Sequence, residues 1–127
     1  MTSTITIVGL GPGRWDDLTI QARDCFARAE QAGAAVYFRT LIHPTLEPLR
    51  AAFPELNIES FDSYYEESVE WDTLYRRIAE RVCALAEQQG AAQPEQPVIY
   101  AVPGHPMIGE ASVQLMLQLA RERGVAT

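Results

Sequence analysis

Few side chains in this sequence are spaced for nucleophilic or metal chemistry. His105, in Pro103-Gly104-His105-Pro106, could serve as a ligand or as a general acid or base. No serine, cysteine and histidine stand at a recognisable spacing for a nucleophilic triad, so a hydrogen bond within its own turn is the plainer role for His105. Cys25 and Cys83 lie far apart, and neither has a second cysteine or a histidine at metal-ligand spacing. Both read as small buried apolar residues, and no metal site is expected. Glu67 and Glu70 have the Glu-x-x-Glu spacing of a magnesium-dependent hydrolase. No second acidic pair at helical spacing accompanies them, so a solvated acidic loop is the simpler reading.

Two glycine- and proline-rich turns remain. Gly9-Leu10-Gly11-Pro12-Gly13 follows a β-branched run, and a dinucleotide fingerprint would need glycine at its sixth place, where Arg14 stands. Pro12 also removes an N–H that a phosphate could use, and no Gly-Lys-Ser/Thr follows to make a P-loop. The turn therefore reads either as a tight connection or as a ligand loop, since glycine permits both. Pro103-Gly104-His105-Pro106 ends a second apolar run. If both runs are central parallel strands, the two turns face one cleft at the same edge of the sheet.

The elements that must position these turns alternate along the chain. Thr4–Val8 reads as a strand, and Leu18, Ala22, Cys25, Phe26 and Ala29 keep helical spacing up to a stop at Gly33. Ala34–Phe38 is a second strand. His43-Pro44 marks a turn or a helix start, and Leu46, Leu49, Arg50 and Phe53 suggest a short helix that ends before Pro54. Leu56–Ser60 suggests a third strand, and Phe61–Glu67 shows no clear period. Leu74, Ile78, Val82 and Leu85 trace an amphipathic helix over about Trp71–Glu87. Gly90–Pro97 reads as a polar connector and Val98–Val102 as a strand covered on both faces. Ile108–Arg123 reads as a final helix capped by Gly124. This βα alternation predicts a three-layer α/β/α domain with a mainly parallel sheet of four to five strands. Val125–Thr127 reads as the start of a fifth strand, so residues 1–127 are expected to be one amino-terminal domain with more protein beyond.

Composition narrows the partners. The 127 residues carry a formal charge of −7, which disfavours nucleic acid. The apolar runs are too short to span a bilayer, and the first residues lack a basic leader, so a cytoplasmic protein with no membrane role is expected.

The segment Ile5–Gly13 with Asp17-Leu18-Thr19, taken together with Val98–Pro106, resembles the two signature loops of the tetrapyrrole (corrin/porphyrin) methylase superfamily. Pro103–Pro106, Tyr37–Thr40, His43-Pro44 and Phe61–Glu67 are most similar to the branch fused to MazG-type nucleoside triphosphate pyrophosphohydrolases. The resemblance implies methyl transfer from S-adenosylmethionine in a cleft between two domains, usually of a homodimer, to a small-molecule or tetrapyrrole-like acceptor. It assigns Pro103, Gly104, His105, Pro106 and Met107 to the methyl donor, and Gly9, Gly11, Pro12, Gly13 and Arg39 to the substrate cleft. Most adenine contacts would come from a second domain beyond Thr127, so the 127 residues alone are expected to be inactive. Arg14 and His105 stand where many methylases carry carboxylates. The alternative is a non-catalytic ligand-binding or regulatory domain of a pyrophosphohydrolase fusion.

Overall fold

Five consecutive apolar residues make strand β4 (Val98–Val102), and in the computed structural model each of them is buried. The structure describes residues 3–67, 70–93, 96–107 and 110–127. Strand β4 pairs in parallel with β1 (Ile5–Gly9) on one side and β2 (Ala35–Phe38) on the other. Strand β3 (Asn57–Ser60) pairs in parallel with β2, so the order across the sheet is β1-β4-β2-β3.

Side chains alternate between two cores, as the period of a strand requires. Val98, Tyr100 and Val102 pack with helices α4 (Trp71–Ala92) and α5 (Ala111–Arg123), through Ile78, Val82, Val113 and Met116. Ile99 and Ala101 point to the other face. There they join Val36 and Phe38 beneath α1 (Ile20–Ala32) and α2 (Leu46–Ala52). Phe26 and Phe38 stack in that layer with ring centroids 6.1 Å apart. This is the expected three-layer α/β/α arrangement, and its described four-stranded sheet is wholly parallel.

The strand order places the helices. The chain steps from β1 over β4 to β2 and then to β3, and it returns from β3 to β4 in the opposite direction. Right-handed crossovers then put α1 and α2 on one face and α4 and α5 on the other. β2 connects towards β3 while its neighbour β4 connects back past β1. The carboxyl ends of β2 and β4 are therefore the point where the winding reverses, which is where open sheets of this kind leave a crevice.

Several helix ends match the sequence signals. The Thr19 side chain accepts the Ala22 N–H at 3.0 Å as an N-cap. Gly33 and Gly124 close α1 and α5 in the left-handed conformation, with φ of 69° and 70°. Other boundaries differ. Helix α4 runs through Gly90 to Ala92, where a connector was expected. A Cβ on Gly90 would lie 2.3 Å from the Ser3 hydroxyl, so close packing of the chain start against the helix accounts for a glycine inside it. Residues Asp62–Glu67 form a short helix, α3, instead of an irregular stretch. Tyr64 holds it edge-on to Phe61 at 5.2 Å, beneath the Arg77 guanidinium. Ile108, taken as the start of the last helix, lies outside the described residues. Ala126 bridges in parallel to Thr4, outside β1. No helix among the described residues is long and apolar enough to cross a membrane.

Candidate functional site

Both glycine turns leave the carboxyl ends of adjacent strands, and they are bonded to each other. Gly11 donates to the Gly104 carbonyl at 3.2 Å, and Gly104 donates back to the Gly11 carbonyl at 3.0 Å. Gly9 is required by proximity rather than by φ. A Cβ there would lie 2.6 Å from the Gly104 carbonyl oxygen and 2.7 Å from Pro106 Cδ. Gly11 and Gly104, with φ of 78° and 69°, need glycine for conformation. The amides expected to face a ligand are thus partly spent in tying the loops. Among the described residues, those of Gly13 and His105 have no hydrogen-bond partner.

A third loop joins this clasp. Thr45 donates its N–H to His43 Nδ1 at 3.1 Å, which leaves the ring proton on Nε2, 3.2 Å from the Gly11 carbonyl. The Gly11 oxygen therefore accepts from both Gly104 and His43, and the exits of β1, β2 and β4 are tied together. The sequence marked His43-Pro44 only as a turn or a helix start, because its partner lies 32 residues away.

Six of the ten residues singled out from the sequence line one groove of about 730 Å³: Gly9, Gly11, Pro12, Gly104, His105 and Pro106. That size is ordinary for a small-molecule site. The groove continues along β1 and α1, where Asp17, Thr19 and Arg28 add polar groups. Gly13, Arg39, Pro103 and Met107 are not in its lining. His105 is exposed, and its Nδ1 accepts the Met107 N–H at 3.1 Å, a bond internal to its turn.

Arg39 lies instead at the winding reversal. Its backbone N–H bonds the Ala101 carbonyl, and its Nε sits 2.9 Å from Glu110 Oε1. The two side chains are only 18% and 7% exposed. Arg39 also donates to the Tyr65 hydroxyl. On the far side, the Ser112 hydroxyl donates to Glu110 Oε2 at 2.6 Å and accepts from Tyr100 at 2.9 Å. Burial alone would lower the Arg39 pKa, but the charge of Glu110 and the hydrogen bond to Tyr65 raise it. Burial pushes the Tyr65 phenol up despite Arg39, so it stays protonated. It pushes Tyr100 up much further, against the Ser112 hydrogen bond. Sequence reasoning did not single out Glu110, Ser112 or Tyr100. An acid just before α5 signals a favourable helix start, but no local pattern tells which arginine it will meet.

Four large apolar side chains are exposed among the described residues: Ile20, Ile42, Trp71 and Met107. Each lies in the segment that follows one of the four strands, so all four ring the same edge of the sheet.

A family model for Tetrapyrrole (Corrin/Porphyrin) Methylases matches residues 4–127. Uncharacterized protein YabN of Bacillus subtilis (strain 168) is 34% identical over 125 residues, covering 98% of this chain and 23% of the relative. The chain thus spans about a quarter of that relative's length.

Proposed function

Because this chain belongs to the tetrapyrrole (corrin/porphyrin) methylase family, whose members generally use S-adenosylmethionine, we propose that it forms one side of a methyl-transfer site. The groove shared by the β1 and β4 exits carries this reading, since both signature loops line it. S-adenosylmethionine would supply an electrophilic methyl group on a cationic sulfur. The groove residues suit its methionine part. Asp17 can pair with the ammonium, Arg28 can pair with the carboxylate, and the His105 amide can add a hydrogen bond. The bonded loops hold these groups in fixed relation, and transfer by in-line attack gains most from such positioning. The acceptor is a small or tetrapyrrole-like molecule entering beside Arg39. Met107, Ile42, Ile20 and Trp71 give the rim an apolar fringe suited to burial by a second domain or by the other half of a homodimer.

Calorimetric titration of S-adenosylmethionine into the protein tests this. Saturable binding that is lost on substituting Gly9 with alanine is expected, and absence of binding to the wild type overturns it. The second reading is a ligand-binding or regulatory unit within a MazG-type pyrophosphohydrolase fusion. The observation in its favour is that the matched region is only 23% of the relative. Binding without methyl transfer to any acceptor would favour it.

A further inference from the structure

We infer that a second cavity, beneath α1 and adjoining the groove, binds a small monocarboxylate with an apolar body, its head on Arg28 and its body against the sheet. The site goes beyond the methyl-transfer reading, and only its competition with the methyl donor rests on that reading.

The cavity lies between α1 and the amino-terminal halves of β1 and β4, and it measures about 330 Å³. It shares Thr6, Cys25 and Arg28 with the groove, so the two meet at these residues. Beyond Arg28 its walls are apolar. Ala29 and Ile99, each only 4% exposed, form the floor with Ala34 and Pro97. At about 30 Å³ for each water-sized group, the space admits about ten of them. An apolar body is therefore favoured there, and the cation beside it decides the head group.

Arg28 is exposed, so its guanidinium stands on the solvent side of this floor. The chain has 17 acidic and 10 basic residues, yet among the described residues Arg28 has no carboxylate partner. Its Nε reaches only the Asp24 backbone carbonyl, at 3.4 Å. No acidic side chain lines the cavity. Burial pushes the Cys25 thiol up against the pull of Arg28, so the wall beside the guanidinium stays uncharged. An unpaired guanidinium at the mouth of an apolar cavity suits a carboxylate, which can take two of its N–H groups. The formal charge of −7 on the chain disfavours a more highly charged head. The carboxylate of the methyl donor calls on the same arginine, so the two ligands compete.

The test follows the alanine and isoleucine methyl signals of ¹³C-labelled protein during titration with hexanoate, hexanol or acetate at equal ionic strength. Hexanoate should shift Ala29, Ala34 and Ile99 saturably. It should bind at least about fivefold more tightly than hexanol, which lacks the charge, or acetate, which lacks the body. Removing two methylenes, as in butanoate, should weaken binding about tenfold. Arg28→Gln should reduce hexanoate to the level of hexanol with thermal unfolding unchanged. Ala32 lines the cavity from an exposed position of α1, so Ala32→Leu should fill the space and abolish the shifts at Ala34 and Ile99. Hexanol binding as tightly as hexanoate, shifts absent from these methyls, or hexanoate binding unaffected by either substitution overturns the inference. S-adenosylmethionine should weaken hexanoate, and hexanoate should weaken the donor by the same factor. Hexanoate binding is read without the donor, so failure of the donor to bind overturns the methylase reading alone.

Discussion

Replacing Gly9 by alanine should be more damaging than replacing Gly104, although only Gly104 has a left-handed backbone. The Gly9 Cβ would lie 2.6 Å from the Gly104 carbonyl oxygen, about 0.8 Å inside the 3.4 Å at which ordinary contact begins. Moving the β4 loop away by that amount stretches the two Gly11–Gly104 hydrogen bonds, now 3.2 and 3.0 Å, beyond useful range. Their loss costs about 1 kcal/mol each, and the residual crowding about 1–3 kcal/mol more, for a total of about 3–5 kcal/mol. A Cβ on Gly104 meets nothing within 4 Å, so its substitution costs only the left-handed penalty of about 1–2 kcal/mol. Urea unfolding followed by the fluorescence of Trp15 and Trp71 measures both. With a slope of about 2 kcal/mol per molar, the Gly9→Ala midpoint should fall by about 2 M and the Gly104→Ala midpoint by less than 1 M. Equal shifts, or a larger one for Gly104→Ala, would refute the claim that the loops are clasped.

Thr45 is fully buried and its hydroxyl has no hydrogen-bond partner among the described residues, so Thr45→Val should leave stability unchanged or raise it by up to about 1 kcal/mol in the same unfolding assay. Arg39→Met should cost about 3 kcal/mol by leaving Glu110 buried without its cation, and adding Glu110→Gln should restore most of the loss. The folded-state pKa of Tyr100 is raised above its ordinary value of 10.0, chiefly by burial. Its contribution to stability is therefore complete below about pH 10 and declines above it, because the unfolded chain ionises first. Urea midpoints between pH 9 and 11 should fall less steeply in Tyr100→Phe than in the wild type.

The sequence displayed the parts of this molecule better than their meeting points. The apolar run Val98–Val102 announced a doubly covered strand, and Gly33 and Gly124 announced helix ends, because those signals are local. The glycine turns were legible as ligand-loop candidates for the same reason. Their mutual bonding was not, since it depends on β1 and β4 becoming neighbours across 93 residues. Helix α3 escaped notice because the packing of Tyr64 against Phe61 and Arg77 defines it, rather than a repeat. The same limit hid Glu110. Arg39 could be nominated through the family resemblance, but its partner comes from a distant segment through the strand order. Of the ten nominated residues, six gather in the groove, while Arg39 belongs to a neighbouring polar cluster.

The central claim is that the clasped β1 and β4 loops bind the methyl donor. Titrating S-adenosylmethionine into ¹⁵N-labelled protein tests it most directly, with backbone amides as the readout. The account predicts saturable shifts concentrated at Gly11, Gly13, Gly104 and His105, with little change along α5. No shift at millimolar donor, or shifts confined to residues away from these loops, would contradict it.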